Sequence, residues 1–224
     1  MKTKPILLTL TVFALFSCGS LRNATMADCA VAEVLEATTQ VASSTSATFD
    51  EGVVINGVRW ATRNVDAPGT FAPYPESPGM FFQWNRKKGW NATDEHVENW
   101  DNSIPEGTKW YAENDPCPEG WRVPTGEELC LLYDYSEWTI KNGVNGRIFG
   151  TASNQIFLPA TNARRTVNGN LVRDDMGIDW GNYWGSTSGT PRVSGHSMWF
   201  NIGDINPCAS ADRASGLSIR CVAK

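Results

Sequence analysis

Apolar and polar positions alternate in short runs along most of this chain, and a helical period stands out once. Val53-Val-Ile55 and Val58-Arg-Trp60 flank Asn56-Gly57, a dipeptide that accepts the positive φ of a two-residue hairpin turn. Met80 to Trp84 reads as an aromatic strand after the proline-rich loop from Ala67 to Gly79. Trp121 and Val123 alternate with Arg122, and Pro124 stops that strand. Thr125-Gly-Glu-Glu128 fits a capping box, in which the Thr125 hydroxyl accepts from the N–H of Glu128 and the Glu128 carboxylate accepts from the N–H of Thr125. Leu129, Leu132 and Tyr133 follow at i, i+3 and i+4, which predicts a helix over about 125–135 with these three on its buried face. Trp138-Thr-Ile140 and Ile156-Phe-Leu158 predict strands, with Gly143 to Gly150 as a loop between them. Arg164-Arg165 and Asn168-Gly-Asn170 mark a hairpin tip. Tyr183-Trp184, Met198-Trp199-Phe200 and Leu217 to Val222 predict an antiparallel set. Many short strands, long loops and one firm helix give an α+β fold without an internal repeat.

The N-terminal pattern is different. Lys2 and Lys4 precede an eleven-residue apolar run from Ile6 to Phe16, too short to span a bilayer as a helix. Leu15-Phe-Ser-Cys18 resembles a bacterial lipobox, which makes residues 1–17 a signal peptide and Cys18 the lipidated mature N-terminus. Residues 18–51 are rich in Ala, Thr and Ser and read as a flexible tether to the membrane. The formal charge is −5; residues 1–17 hold two lysines and no acid, so their loss leaves −7. An acidic chain without a basic run is a poor partner for nucleic acid.

Between Asn85 and Asn114 no helical or alternating period fits, yet Trp90, Trp100 and Trp110 stand there among Asn, Asp, Lys and Glu. Two arrangements suit such a segment. Its indoles either turn inward and pin a long loop down, or stay exposed and stack on sugar rings while Asn and Asp bond the hydroxyls. In the second arrangement Trp90, Trp100 and Trp110 are the ligand-binding candidates.

Cys117-Pro-Glu-Gly-Trp-Arg-Val-Pro-Thr-Gly-Glu-Glu-Leu129 resembles the signature of the Fibrobacter succinogenes major paralogous domain, a family of cell-envelope proteins. Ile55 to Asn64, Gly79 to Trp84, Phe157 to Ala160, Tyr183 to Thr187 and Ser218 to Val222 resemble its other blocks in order, so the resemblance spans residues 52–224. It implies a C-type-lectin-like fold and leaves the activity undefined. The long tryptophan-rich segment departs from the family pattern.

Four of the six cysteines lie in that domain, which allows three connectivities, and an exported chain permits disulfides. The resemblance, together with Cys117 opening the central stretch and Cys221 closing the last strand, favours Cys117–Cys221. Cys130 on the helix and Cys208 in a loop are then a second pair or two free thiols.

Chemistry for catalysis is sparse. His96 and His196 have no neighbour at metal spacing, Asp174, Asp175 and Asp179 lack calcium-loop spacing, and Gly185-Ser-Thr-Ser-Gly189 is not a nucleophile elbow. No metal or cofactor is expected. The reading is a non-enzymatic, lectin-like binding module on an outer-membrane lipoprotein, at the cell surface or the periplasmic face, with a glycan or an envelope protein as partner. A structural role in surface assembly, and less so a hydrolase, are the alternatives.

Overall fold

The computed structural model describes residues 47–133 and 135–224. The expected signal peptide, the proposed lipidation site Cys18, Cys29 and most of the expected tether therefore lie outside the described residues. Strands β1 (Val53–Ile55), β2 (Val58–Trp60), β14 (Val222–Ala223) and β5 (Trp121–Arg122) form one sheet in the order β1-β2-β14-β5. Strands β6 (Ser136–Lys141), β7 (Val144–Thr151) and β8 (Asn154–Pro159) form a meander, as do β11 (Gly181–Ser188), β12 (Ser194–Phe200) and β13 (Ile205–Asp212). Two hairpins, β3 (Met80–Phe82) with β4 (Gly89–Asn91) and β9 (Ala163–Arg164) with β10 (Leu171–Val172), complete the sheets. Every one of these pairings is antiparallel, and the helix α1 spans Gly126–Cys130.

The short-range predictions follow from local chemistry. Asn56 and Gly57 both hold positive φ, 50° and 82°, and close the β1–β2 hairpin. The capping box at Thr125 and Glu128 is complete, and Glu128 also takes the Arg122 fork at 2.7 and 2.8 Å. That fork holds the Arg122 guanidinium above its ordinary pKa. Asp115 ties the same stretch together, accepting from the N–H groups of Cys117 and Val123.

Four expectations are corrected. The helix is five residues long and its capping turn ends at Leu131, so Leu129 and Leu132 are buried while Tyr133 is 57% exposed. Within the expected loop from Gly143 to Gly150, Val144 onward is strand β7: Asn142-Gly143 makes a second positive-φ hairpin turn, and a Cβ at Gly146 would meet the Leu158 carbonyl oxygen and, at 2.5 Å, the Phe157 ring. Leu217 to Val222 does not join the β11–β12 sheet. It threads the core through single bridges to Phe82 and Tyr183, and β13 takes its place although Pro207 confines that strand to an edge. Cys208 is thus on a strand. Finally, folded contacts begin before residue 52: the Asp50 carboxylate accepts from the Thr62 N–H and hydroxyl and pairs with Arg63 at 3.2 Å.

The core is aromatic. Trp60, Trp84, Trp184 and Tyr183 are fully enclosed. Trp84 donates its indole N–H to the carbonyl of Gly185, and Trp184 donates its own to Phe82, so the segment from β3 through Trp84 is cross-linked to β11 in both directions. Trp121 packs edge-on against Phe71. Both disulfides are present: Cys117–Cys221, with Cα atoms 6.1 Å apart, and Cys130–Cys208, with Cα atoms 5.2 Å apart.

Candidate binding cleft

The tryptophan-rich segment turns its rings inward. Trp90 and Trp110 are only 5% and 7% exposed. Trp100 is half-buried, packs tilted against Trp90 with ring centroids 4.8 Å apart and donates to the carbonyl of Thr166 at 2.8 Å. Trp110 donates to the carbonyl of Asn114. Gly169, at φ 68°, lies flat under the Trp100 ring, where a Cβ would sit 2.5 Å from it. The guanidinium of Arg164, 1% exposed, then donates to the carbonyls of Asn91, Asp94 and Gly169. The exposed platform of Trp90, Trp100 and Trp110 is therefore corrected. A loop with few ladder partners has packed Trp90 and Trp100 into a small cluster of its own, sent Trp110 into the main core beside Trp84, and used an arginine to satisfy its carbonyls.

A second pair of half-buried tryptophans lies elsewhere. Asn162 sits in the left-handed region, at φ 63°, at the end of the crossing from β8 to β9. It is clamped to Trp180 twice: its N–H donates to the Trp180 carbonyl at 2.6 Å, and its side-chain oxygen accepts from the Trp180 N–H at 3.1 Å. The Trp180 indole N–H donates to Asp174 at 3.3 Å, and Asp174 also accepts from the N–H of Met176. Trp199 stands opposite Asn182 in the β11–β12 register, and its ring lies 5.4 Å from that of Trp180. Both indoles are half-buried.

Trp180 forms one wall of a cleft of about 370 Å³ whose lining includes Asn162, Asn182, Arg165, Arg173, Asp174 and Asp175. Asn182 donates to the Asn162 carbonyl from its side-chain nitrogen, leaving its amide oxygen for a ligand. Arg173 pairs with Glu95 at 3.1 Å across a wet surface. No ion pair holds Arg165 or Asp175 among the described residues. The cleft thus combines one indole, amides and charges of both signs, a set that can orient a polar ring bearing hydroxyls. Its aspartates were visible in the sequence as an acidic loop, but nothing local joined that loop to Asn162, which is 18 residues from Trp180.

The acidic triad is divided rather than gathered. Asp179 accepts from the Asn145 side chain at 2.8 Å, Asp174 serves Trp180, and no group of three or more metal-ligating residues occurs among the described residues. His96 contacts Asn170 at the surface. His196 lies against Gly126 and 3.9 Å from the Cys130 sulfur, and burial pulls its pKa below the usual imidazole value. No family model, curated protein or solved structure matches the chain.

Proposed function

We propose that this chain is an envelope-anchored, non-enzymatic binding module that holds a saccharide in the Trp180 cleft. The observation that carries the reading is Trp180 beside Asn162 and Asn182 in one cleft: a half-buried indole, backed by Trp199, next to two side-chain amides. Stacking on sugar C–H faces and bonding to hydroxyls need that combination. The resemblance to the Fibrobacter succinogenes major paralogous domain supports a lectin-like role, since the quoted motifs supply the scaffold around Cys117, Trp121 and the capping box. Two disulfides and the lipobox-like Leu15-Phe-Ser-Cys18 favour an extracytoplasmic, lipid-anchored address in the outer membrane.

A glycan array with the purified protein tests the proposal. Trp180→Ala is expected to keep the fold, monitored by near-ultraviolet circular dichroism, and to weaken the bound glycan about tenfold, the factor for losing one aromatic contact. Array signal unchanged in a folded Trp180→Ala protein would remove the cleft from consideration. A native protein that binds no glycan but captures an envelope protein would favour the assembly role instead.

A further inference from the structure

A second pocket, of about 450 Å³, opens at the other end of β11, between the 104–108 loop and the β11–β12 turn. Its charge is unusual for a protein surface this acidic. Arg213 is 2% exposed, lies 4.0 Å over the Trp84 ring, and makes no ion pair among the described residues. It donates from Nε to the Ser194 carbonyl at 3.0 Å, from Nη1 to the Pro105 carbonyl at 3.0 Å, and from Nη2 to the Ser188 hydroxyl at 2.6 Å. A guanidinium has five N–H donors, so two remain uncommitted.

Arg192 lines the same pocket, exposed, with neither a hydrogen bond nor an ion pair among the described residues. It is carried by a turn fixed through Ser194, whose N–H and hydroxyl both donate to the Pro191 carbonyl. Burial first, and the Arg192 charge second, hold Arg213 below its ordinary pKa. Glu106 stands at the rim beyond ion-pair distance of either arginine, and Tyr111 is the other titratable group acting on Arg213. Thr108 adds a hydroxyl, and Ile104, 51% exposed, adds an apolar wall. Two like charges share this pocket, and its one acid, Glu106, makes an ion pair with neither of them among the described residues. A bound oxyanion relieves that repulsion and accepts the spare donors in the geometry arginine favours.

The geometry points to a binding site for an oxyanion group, a carboxylate or a sulfate ester, carried by an acidic small ligand and held between Arg192, Arg213 and Thr108. This site is independent of the Trp180 cleft and of the saccharide reading. Calorimetric titration of the full chain with sodium sulfate, glucuronate and glucose, at matched ionic strength, tests it. Sulfate or glucuronate is expected to bind and glucose not to. Arg192→Gln, which removes a guanidinium that holds nothing in the fold, should weaken binding at least tenfold, as loss of a charge-assisted bond does. Trp180→Ala should leave it unchanged. Glucuronate tighter than sulfate assigns the anion to a sugar acid, and the reverse order assigns it to a sulfate ester. Absence of binding by both anions, or wild-type affinity in Arg192→Gln, overturns the site.

Discussion

Buried arginines replace regular ladders in this molecule. Arg164, Arg213 and Arg220 are each at most 2% exposed, and their donors go chiefly to main-chain carbonyls. Arg220 forks onto the Asn64 side-chain oxygen and also reaches the carbonyls of Ala61 and Phe157. Burial brings its pKa down to about 10, so it stays charged at neutral pH. Loop carbonyls that lack a strand partner need donors, and one guanidinium serves several of them. His196 offers a pH-dependent counterpart. Its Nδ1 is buried without a partner, and burial lowers its pKa. The unfolded chain therefore binds this proton more tightly than the folded one, so stability is lost as pH falls below the ordinary histidine value of 6.5 and on through the folded pKa. Urea midpoints at mildly acidic and neutral pH should differ in the wild-type protein, and His196→Asn should reduce the difference. An equal drop in both proteins would assign the effect to other groups.

At the scale of elements, turn and cap chemistry could be read from short motifs, whereas elements held by distant partners could not. The Asn56-Gly57 hairpin and the Thr125 cap depend on residues within a few positions, and both form as expected. Strand β7 escaped because Gly146 and Gly150 weaken any strand signal. The close approach of the Leu158 carbonyl and the Phe157 ring to Gly146 explains the first of these. Gly146→Ala should accordingly cost about 1–3 kcal/mol through overpacking. Thr125→Ala should cost about 1 kcal/mol through the lost cap. Thermal unfolding of the two variants checks both values, and a neutral Gly146→Ala would contradict the close approach of Phe157. The tryptophan-rich segment belongs to the same group: its composition allowed two arrangements, and the choice came from Gly169, Thr166 and Arg164, all more than fifty residues away from Trp90 or Trp100.

For the whole molecule, the covalent frame sets the stability. Cys117 and Cys221 are 104 positions apart, and closing so long a loop contributes about 4–5 kcal/mol in the chain-entropy model. Joint replacement of both by Ala should lower the unfolding free energy by about that amount, measured by denaturant titration under non-reducing conditions. A loss no larger than that of a surface substitution would show that the core holds the tail in place without it.

Secondary-structure content, the central stretch and an aromatic core were determined by the sequence alone, because alternation, capping and hairpin turns act over a few residues. The inward turn of the tryptophans, the place of β13 in its sheet and both clefts were decided only in three dimensions. Asn162 meets Trp180, and Arg192 meets Arg213, across gaps of 18 and 21 positions. No local period records which loop carbonyl an arginine will satisfy or which indole will line a cleft.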